Sequence, residues 1–304
     1  MIKFWSYDRE YKRIKKKILN NIDNTISKGN IFFGEKQNSF EKSFLKKYNS
    51  KFGVAVGSGT DALLISLKTL NIKNGDQIIT AANTAIPTIS AIINSGATPK
   101  LVDIGDDYLI NTNKIEKHIN KRTKAIIPVH LYGQSCDMDK IIKIAKKYNL
   151  KIIEDCAQAQ GAMYKNKFVG TFGDFGCFSF YPTKILGTYG DGGFIITKKI
   201  NDYKRIKRLR FYGIETTDKK NKFYNKYYAN ENGLNSRIDE IQSSILNIKL
   251  KYVDNFIKRR IDLANIYSEN LKGTSLKLPH VNDFSKHVYH LFTVRHKQKE
   301  KIVR

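Results

Sequence analysis

Lys184 lies in the run Ser179-Phe-Tyr-Pro-Thr-Lys-Ile-Leu-Gly-Thr-Tyr-Gly-Asp-Gly-Gly193, where an apolar Phe/Tyr/Pro segment delivers one amine to a glycine-rich turn. A lysine held there can be an imine-forming nucleophile. Desolvation disfavours the ammonium form, a nearby cation does so further, and the neutral amine attacks an aldehyde. Two more clusters carry matching chemistry. Gly57-Ser-Gly-Thr-Asp-Ala62 follows an apolar run and opens a helical one. Its free backbone N–H groups, the helix dipole and two hydroxyls suit a phosphate. The cluster lacks both the G-x-G-x-x-G spacing and the Gly-Lys-Ser/Thr of a P-loop, which argues against dinucleotide and ATP binding. Glu154-Asp-Cys-Ala-Gln158 ends another apolar run. A carboxylate leaving a buried strand is costly without a cation to meet it. A protonated pyridine nitrogen would fit Asp155, whose charge would keep that proton in place and make the ring an electron sink. Ser179, ending a third apolar run, is placed to hold a phosphate beside the lysine.

Each cluster also has an ordinary reading. With 54 Lys and Arg in 304 residues, a lysine beside a turn is most often a surface residue. Ser, Thr or Asp at a helix start is most often a cap, and a strand-end carboxylate most often pairs with a lysine. The combination of one amine, one phosphate cup and one strand-end carboxylate is far narrower than any of its parts.

Short apolar runs alternate with longer helical patterns through the middle of the chain, the mark of βαβ units and a mainly parallel sheet. Candidate strands are Phe52–Val56, Gln77–Thr80, Thr98–Asp103, Thr123–Pro128, Lys151–Glu154, Phe175–Phe180 and Phe194–Thr197. Asp61–Leu70, Thr84–Asn94 and Asp137–Tyr148 carry apolar residues at helical spacing. The fold class is α/β, a three-layer sandwich around a mainly parallel seven-stranded sheet. In such sheets ligands sit beyond the carboxyl ends of strands, where all three clusters fall. Beyond Asn235, Ile238, Ile241, Ile245, Ile248, Val253, Phe256 and Ile261 predict one long spine helix. Residues 1–250 are expected to form the large domain, and 251–304 the start of a smaller α+β domain. Within the latter, Val288–Val294 reads as a strand needing partners beyond Arg304, so that domain is expected to be incomplete. Asp218–Asn232 is polar and reads as a mobile loop.

Composition narrows the class. A chain of this length with 41% hydrophobic residues buries a large core. The N-terminus has no apolar signal region and no run of 18 apolar residues occurs, so the expected location is cytoplasmic with no membrane partner. Cys136, Cys156 and Cys177 form no C-x-x-C pair, which speaks against disulfides and zinc and for reduced packing residues. The net charge of +26 is spread along a chain rich in Lys, Asn and Ile together, a biased composition rather than a nucleic-acid face. The positive field would still draw in an anionic, nucleotide-linked substrate.

The order phosphate cup, strand-end aspartate, then lysine resembles fold-type I pyridoxal phosphate (PLP) enzymes, specifically the sugar aminotransferases of the DegT/DnrJ/StrS group. The resemblance runs from about Phe33 to Phe256. It includes Gly57-Ser-Gly-Thr-Asp-Ala-Leu63, Ala82-Asn-Thr84, Gly96-Ala-Thr-Pro99, Arg122 to Gln134, Glu154-Asp155, Ala157-Gln-Ala159, Ser179-Phe-Tyr-Pro-Thr-Lys184, Gly190-Asp-Gly-Gly193 and Asn235-Ser-Arg-Ile-Asp-Glu240. It implies that Lys184 binds PLP covalently and, once released, moves protons between substrate and cofactor. Asp155 would pair with the pyridine nitrogen, Gln158 would lie at the ring's hydroxyl edge, and Gly59, Thr60 and Ser179 would bind the phosphate. Asn235 would reach the phosphate of the neighbouring subunit, implying a homodimer with shared active sites; read from its residue type alone, it is an N-cap for the spine helix. Tyr181 is placed as a wall of the sugar pocket or as a packing aromatic. The chain differs from the family pattern at Ala85, where an aromatic often stacks on the ring, at Gln160, where His is frequent, and at Ile185, where Asn often follows the lysine. Lysine rather than histidine at 184 implies transamination rather than sugar dehydration. The implied reaction moves an amino group from L-glutamate to C-3 of a dTDP-3-keto-6-deoxyhexose, as for cell-surface polysaccharides such as O-antigen. The alternatives are a C-4 aminotransferase on UDP- or GDP-sugars and a non-catalytic regulatory relative.

Overall fold

The computed structural model describes residues 6–215 and 228–300. Seven strands form one sheet: β1 (Phe52–Val56), β2 (Gln77–Ala81), β3 (Thr98–Val102), β4 (Thr123–Ile127), β5 (Lys151–Asp155), β8 (Phe175–Ser179) and β9 (Gly193–Thr197). Their order is β1-β9-β8-β5-β4-β2-β3, and β9 alone runs antiparallel to both neighbours. All seven agree with the sequence reading to within a residue or two. Each is five residues long, and six of them are mostly buried on both faces as a covered parallel sheet requires, whereas the edge strand β3 is exposed at Thr98 and Leu101. Two short hairpin strands, β6 (Met163–Tyr164) and β7 (Lys167–Phe168), form a separate small sheet with β10 (Ser285–Lys286).

Helices cover the sheet. They are α1 (Asp8–Ser27), α2 (Glu35–Lys47), α3 (Gly59–Thr69), α4 (Ile86–Asn94), α5 (Met138–Lys147), α6 (Ile200–Leu209), α7 (Glu240–Lys249) and α8 (Val253–Asn270). Phe40 and Phe44, one turn apart on α2, bury fully against Phe178, Phe180 and Phe194 of the β8–β9 region in edge-to-face and tilted contacts. Each such ring contributes about 1.5–3 kcal/mol of burial. The start of α2 is capped from a distance, because the Glu240 carboxylate accepts N–H bonds from Gly34, Lys36 and Gln37. This satisfies donors that a helix start leaves orphaned. On the other side, Ile14 and Ile18 of α1 pack against Ile245 and Ile248 of α7.

Two expectations need correcting. The spine helix is two helices, α7 and α8, separated by a 3-10 turn at Leu250–Tyr252. The apolar period survives that turn, so periodicity alone could not reveal it. Val288–Val294 is not a strand: the Val288 N–H donates to Gly133 O and the Leu291 N–H to Tyr132 O, so its backbone bonds to a loop of the main sheet. Val288, Val253 and Ile257 join the same buried cluster as the sheet. For the expected mobile loop, residues 218–227 lie outside the described residues, whereas Glu231 forms ion pairs with Arg205 and Arg208.

Candidate active site

β1, β5 and β8 are mutually parallel, so Val56, Asp155 and Ser179 end at one edge of the sheet, and Gly193 of β9 starts there, paired with both Val56 and Ser179. Two glycines compress this edge. A Cβ on Gly193 would lie 2.2 Å from the Ser58 carbonyl oxygen, and a Cβ on Gly59 would lie 2.6 Å from Ser179 Cβ. The N-terminus of α3 therefore rests on the end of β8, and a side chain at either position would push it off. Ser58 caps α3 by accepting the Asp61 N–H at 3.0 Å. The N–H groups of Gly59 and Thr60 follow it, in the first turn where helix geometry supplies no acceptor. Ser236 clamps the cup, accepting from Gly57 N–H at 2.9 Å and donating to Asp61 at 2.8 Å.

Asp155 is 5% exposed. Its Oδ2 accepts from the Thr88 hydroxyl at 2.8 Å and its Oδ1 from Ala157 N–H at 3.1 Å. Thr88 is in turn bonded to Thr84. Lys184 sits on the turn after β8, its N–H donating to Tyr181 O at 2.9 Å. Burial pushes the Lys184 amine below the usual lysine range, and the charge of Asp155 opposes that shift. An amine that loses its proton more easily beside a carboxylate is the arrangement imine chemistry needs.

The remaining candidates fall into place unevenly. Gln158 accepts from Tyr132 N–H at 2.9 Å, holding a non-glycine residue at φ 59°. Gln160, where the resemblance led us to expect histidine, donates to the Ser179 carbonyl and so pins the end of β8. Ile185 is buried, whereas Ala85 is exposed at the start of α4 and offers no ring. Tyr181 is 52% exposed. Asn235 is not the N-cap of the spine helix: its backbone bridges Phe211, and α7 begins only at Glu240, where Asp239 accepts the Gln242 N–H at 2.7 Å. Asn235 itself is exposed, next to the Ser236 that clamps the cup.

Sequence reasoning assigned no role to Thr88, Ser236 or His290. The first two lie 67 and 179 residues from the groups they hold, and no local pattern signals such partners. His290 was absorbed into the expected strand. It is 9% exposed with an unbonded Nδ1, and burial, then the charges of Lys184 and Arg260, push it down to about 3.

His130, Glu154 and Cys156 cluster closely enough for a metal. Their atoms are already committed. His130 Nδ1 accepts the Cys136 N–H, which assigns the ring proton to Nε2, 3.0 Å from Glu154. Glu154 also accepts the N–H groups of Gly170, Phe172 and Gly173 at 2.7 Å each. Burial raises the Cys156 thiol well above its usual range, and all three cysteines are free and buried.

Lys184 borders a cavity of about 840 Å³ between α1, α8 and the lysine turn. Another cavity, of about 520 Å³, opens at the opposite edge of the sheet beside Gly173, Asp174 and Thr197 and holds none of the candidate residues. The candidate residues therefore gather at the carboxyl edge. The group that fits there carries an aldehyde, a basic ring nitrogen and a phosphate. Pyridoxal phosphate has all three, and when bound it supplies the electron sink that stabilises a carbanion.

The profile of the DegT/DnrJ/EryC1/StrS aminotransferase family matches residues 12–304. The chain is 44% identical over 301 residues to the dTDP-3-amino-3,6-dideoxy-alpha-D-galactopyranose transaminase of Aneurinibacillus thermoaerophilus, covering 99% of this chain and 80% of that one. Among solved structures, it superposes on Streptomyces venezuelae DesV in complex with a ketimine intermediate, with a TM-score of 0.93, 34% identity, and coverage of 99% of this chain and 79% of that one. It also superposes on Bacillus subtilis NtdA with bound cofactor PMP, with a TM-score of 0.89, 31% identity, and coverage of 99% and 68%. The fold, the carboxyl-edge site and these matches agree, and the chain belongs to the PLP-dependent DegT/DnrJ/EryC1/StrS aminotransferases.

Proposed function

We propose that this aminotransferase moves an amino group from L-glutamate to C-3 of a dTDP-linked 3-keto-6-deoxyhexose, working as a cytoplasmic homodimer with shared active sites. The observation that carries the reading is the buried Lys184, its amine pushed below the usual lysine range, beside Asp155 at the sheet edge that also holds the Gly59–Ser179 cup. The 44% identical relative, a C-3 transaminase by name, supports the choice of carbon.

In this reading Asp155 holds the proton on the cofactor's ring nitrogen. Thr88 and Ala157 fix the carboxylate's orientation. Gly59, Thr60 and Ser179 bind the phosphate, and Gln158 lies at the ring's hydroxyl edge. Lys184, once its amine is free, would take the proton from the substrate carbon and deliver it to the cofactor carbon that had carried the aldehyde. The exposed Asn235 completes a neighbour's phosphate site, and Tyr181 lines the sugar pocket.

The test begins by reducing the yellow enzyme to its pyridoxamine form with glutamate, then offering a panel of keto-sugar nucleotides. Return of the yellow absorbance with the dTDP-3-keto sugar, and not with 4-keto sugars, is the expected result. Failure with every keto sugar would sink the reading. Mixed dimers test the shared site: Lys184→Ala and Asn235→Ala, each weak alone, should regain activity when combined, because one of the two sites is then intact.

A further inference from the structure

The cavity beside Lys184 has an unusual cation content. Only eleven of the 54 Lys and Arg residues are arginine, yet apart from Lys184 every cation lining this cavity is one: Arg9, Arg13, Arg259 and Arg260. A lysine-biased composition would place lysines there. Arg9 and Arg13 are one turn apart on α1 and so share a face, while Arg259 and Arg260 come from α8 on the other wall. Among the other described arginines, four are matched to carboxylates, Arg205 and Arg208 with Glu231, Arg210 with Glu41 and Arg295 with Asp106, whereas Arg122 forms no salt bridge and Arg237 lies over the rings of Phe32 and Phe211. Among the described residues none of the four cavity arginines forms a salt bridge. The acid in the cavity, Glu10, is taken by Lys249 at 2.6 Å. Arg260 is held from behind, its Nη1 donating to the carbonyls of Tyr289 and His290 at 3.2 Å.

We propose that these four arginines form the subsite for the diphosphate of a nucleotide-linked substrate, with Arg260 innermost and Arg9, Arg13 and Arg259 toward the opening. The inference rests on the proposed nucleotide-sugar reading and adds where the nucleotide end is held. Guanidinium forks bind phosphoryl oxygens two at a time, which lysine cannot do, and this explains arginine against the composition of the chain. The other oxyanions the reaction brings are the carboxylates of glutamate. About 840 Å³ is the size of a site for a large ligand, and a five-carbon amino acid would fill only a fraction of it.

The test is calorimetric binding of dTDP and of glutamate to the PLP-loaded enzyme, with Arg13→Ala/Arg259→Ala and the milder Arg9→Gln as variants. All three positions are exposed, and melting temperature checks their fold. The double variant should weaken dTDP by ~10–100-fold and glutamate by less. Arg13→Lys/Arg259→Lys should recover only part of the loss, because the charge returns without the fork. Unchanged dTDP affinity in the double variant and in Arg9→Gln would overturn the subsite, as would a loss for glutamate equal to or larger than that for dTDP. Amination of keto-sugar nucleotides by an enzyme that does not bind dTDP overturns the subsite alone. Arginine-dependent dTDP binding without amination leaves the subsite standing and overturns only the reaction.

Discussion

Glu154 and Asp155 are consecutive residues of β5, both buried, yet strand geometry points them to opposite faces. Glu154 accepts four donors, His130 Nε2 and three backbone N–H groups, which fills the four lone-pair positions of a carboxylate. Asp155 accepts two, from Thr88 and Ala157, and keeps half its capacity beside Lys184. A saturated buried carboxylate is a fastener, here tying the loop at Gly170–Gly173 to the core. A half-supported one is oriented and still has acceptors for an incoming cation. The number of remaining lone pairs, rather than burial or charge, separates the two.

The largest expected effect falls on the unsaturated carboxylate. Asp155→Asn keeps the shape and removes the charge, so transamination should fall ~10²–10³-fold with little change in melting temperature. Equal activity would mean Asp155 is only a fastener too. Glu154→Gln should behave the opposite way. It turns an acceptor into a donor facing backbone N–H groups and should cost about 3 kcal/mol in denaturant titrations. Activity per folded molecule should change little.

The acid response sharpens this contrast. Burial works to raise the Glu154 pKa, but His130 and the backbone N–H groups outweigh it and hold it below its usual 4.5. A depressed folded value means the stabilisation is fully present above 4.5 and is lost as pH falls through the folded value. The stability gap between wild type and Glu154→Gln, followed by melting temperature against pH, should therefore close in that acid window.

Thr88→Val removes one of the two supports of Asp155 and leaves its charge. A loss of about 1 kcal/mol, or roughly 5-fold in turnover, is expected. The smallest effect concerns Lys184 itself. Its pKa is lowered by burial, so the folded state is penalised while the amine is protonated, and the penalty fades as pH rises from the lowered value toward 10.5. In the cofactor-free protein, Lys184→Met should therefore raise the melting temperature at neutral pH, and the gain should shrink at alkaline pH. A loss at neutral pH would contradict the assignment.

Much of this was legible in the chain before folding. Seven strands and three covering helices followed from local apolar runs, because a five-residue strand buried on both faces and a helix with one buried stripe are patterns of neighbouring residues. The three clusters at strand ends were legible for the same reason. The break at Leu250–Tyr252 and the loss of the Val288–Val294 strand were not, since both depend on what those segments pack against. Nor could residue type show that Asn235 stands apart from the helix it was expected to cap, or that the antiparallel β9 brings Gly193 under Ser58.

By itself, then, the sequence determined the α/β class, the strand ends and the residue types able to hold an aldehyde cofactor, because spacing along the chain encodes period and turn. Only the tertiary structure decided which of two adjacent carboxylates keeps free lone pairs, that Thr88 supports Asp155 from 67 residues away, and that four scattered arginines meet around one cavity. Those outcomes depend on strand order and helix packing, which join residues that no local pattern links.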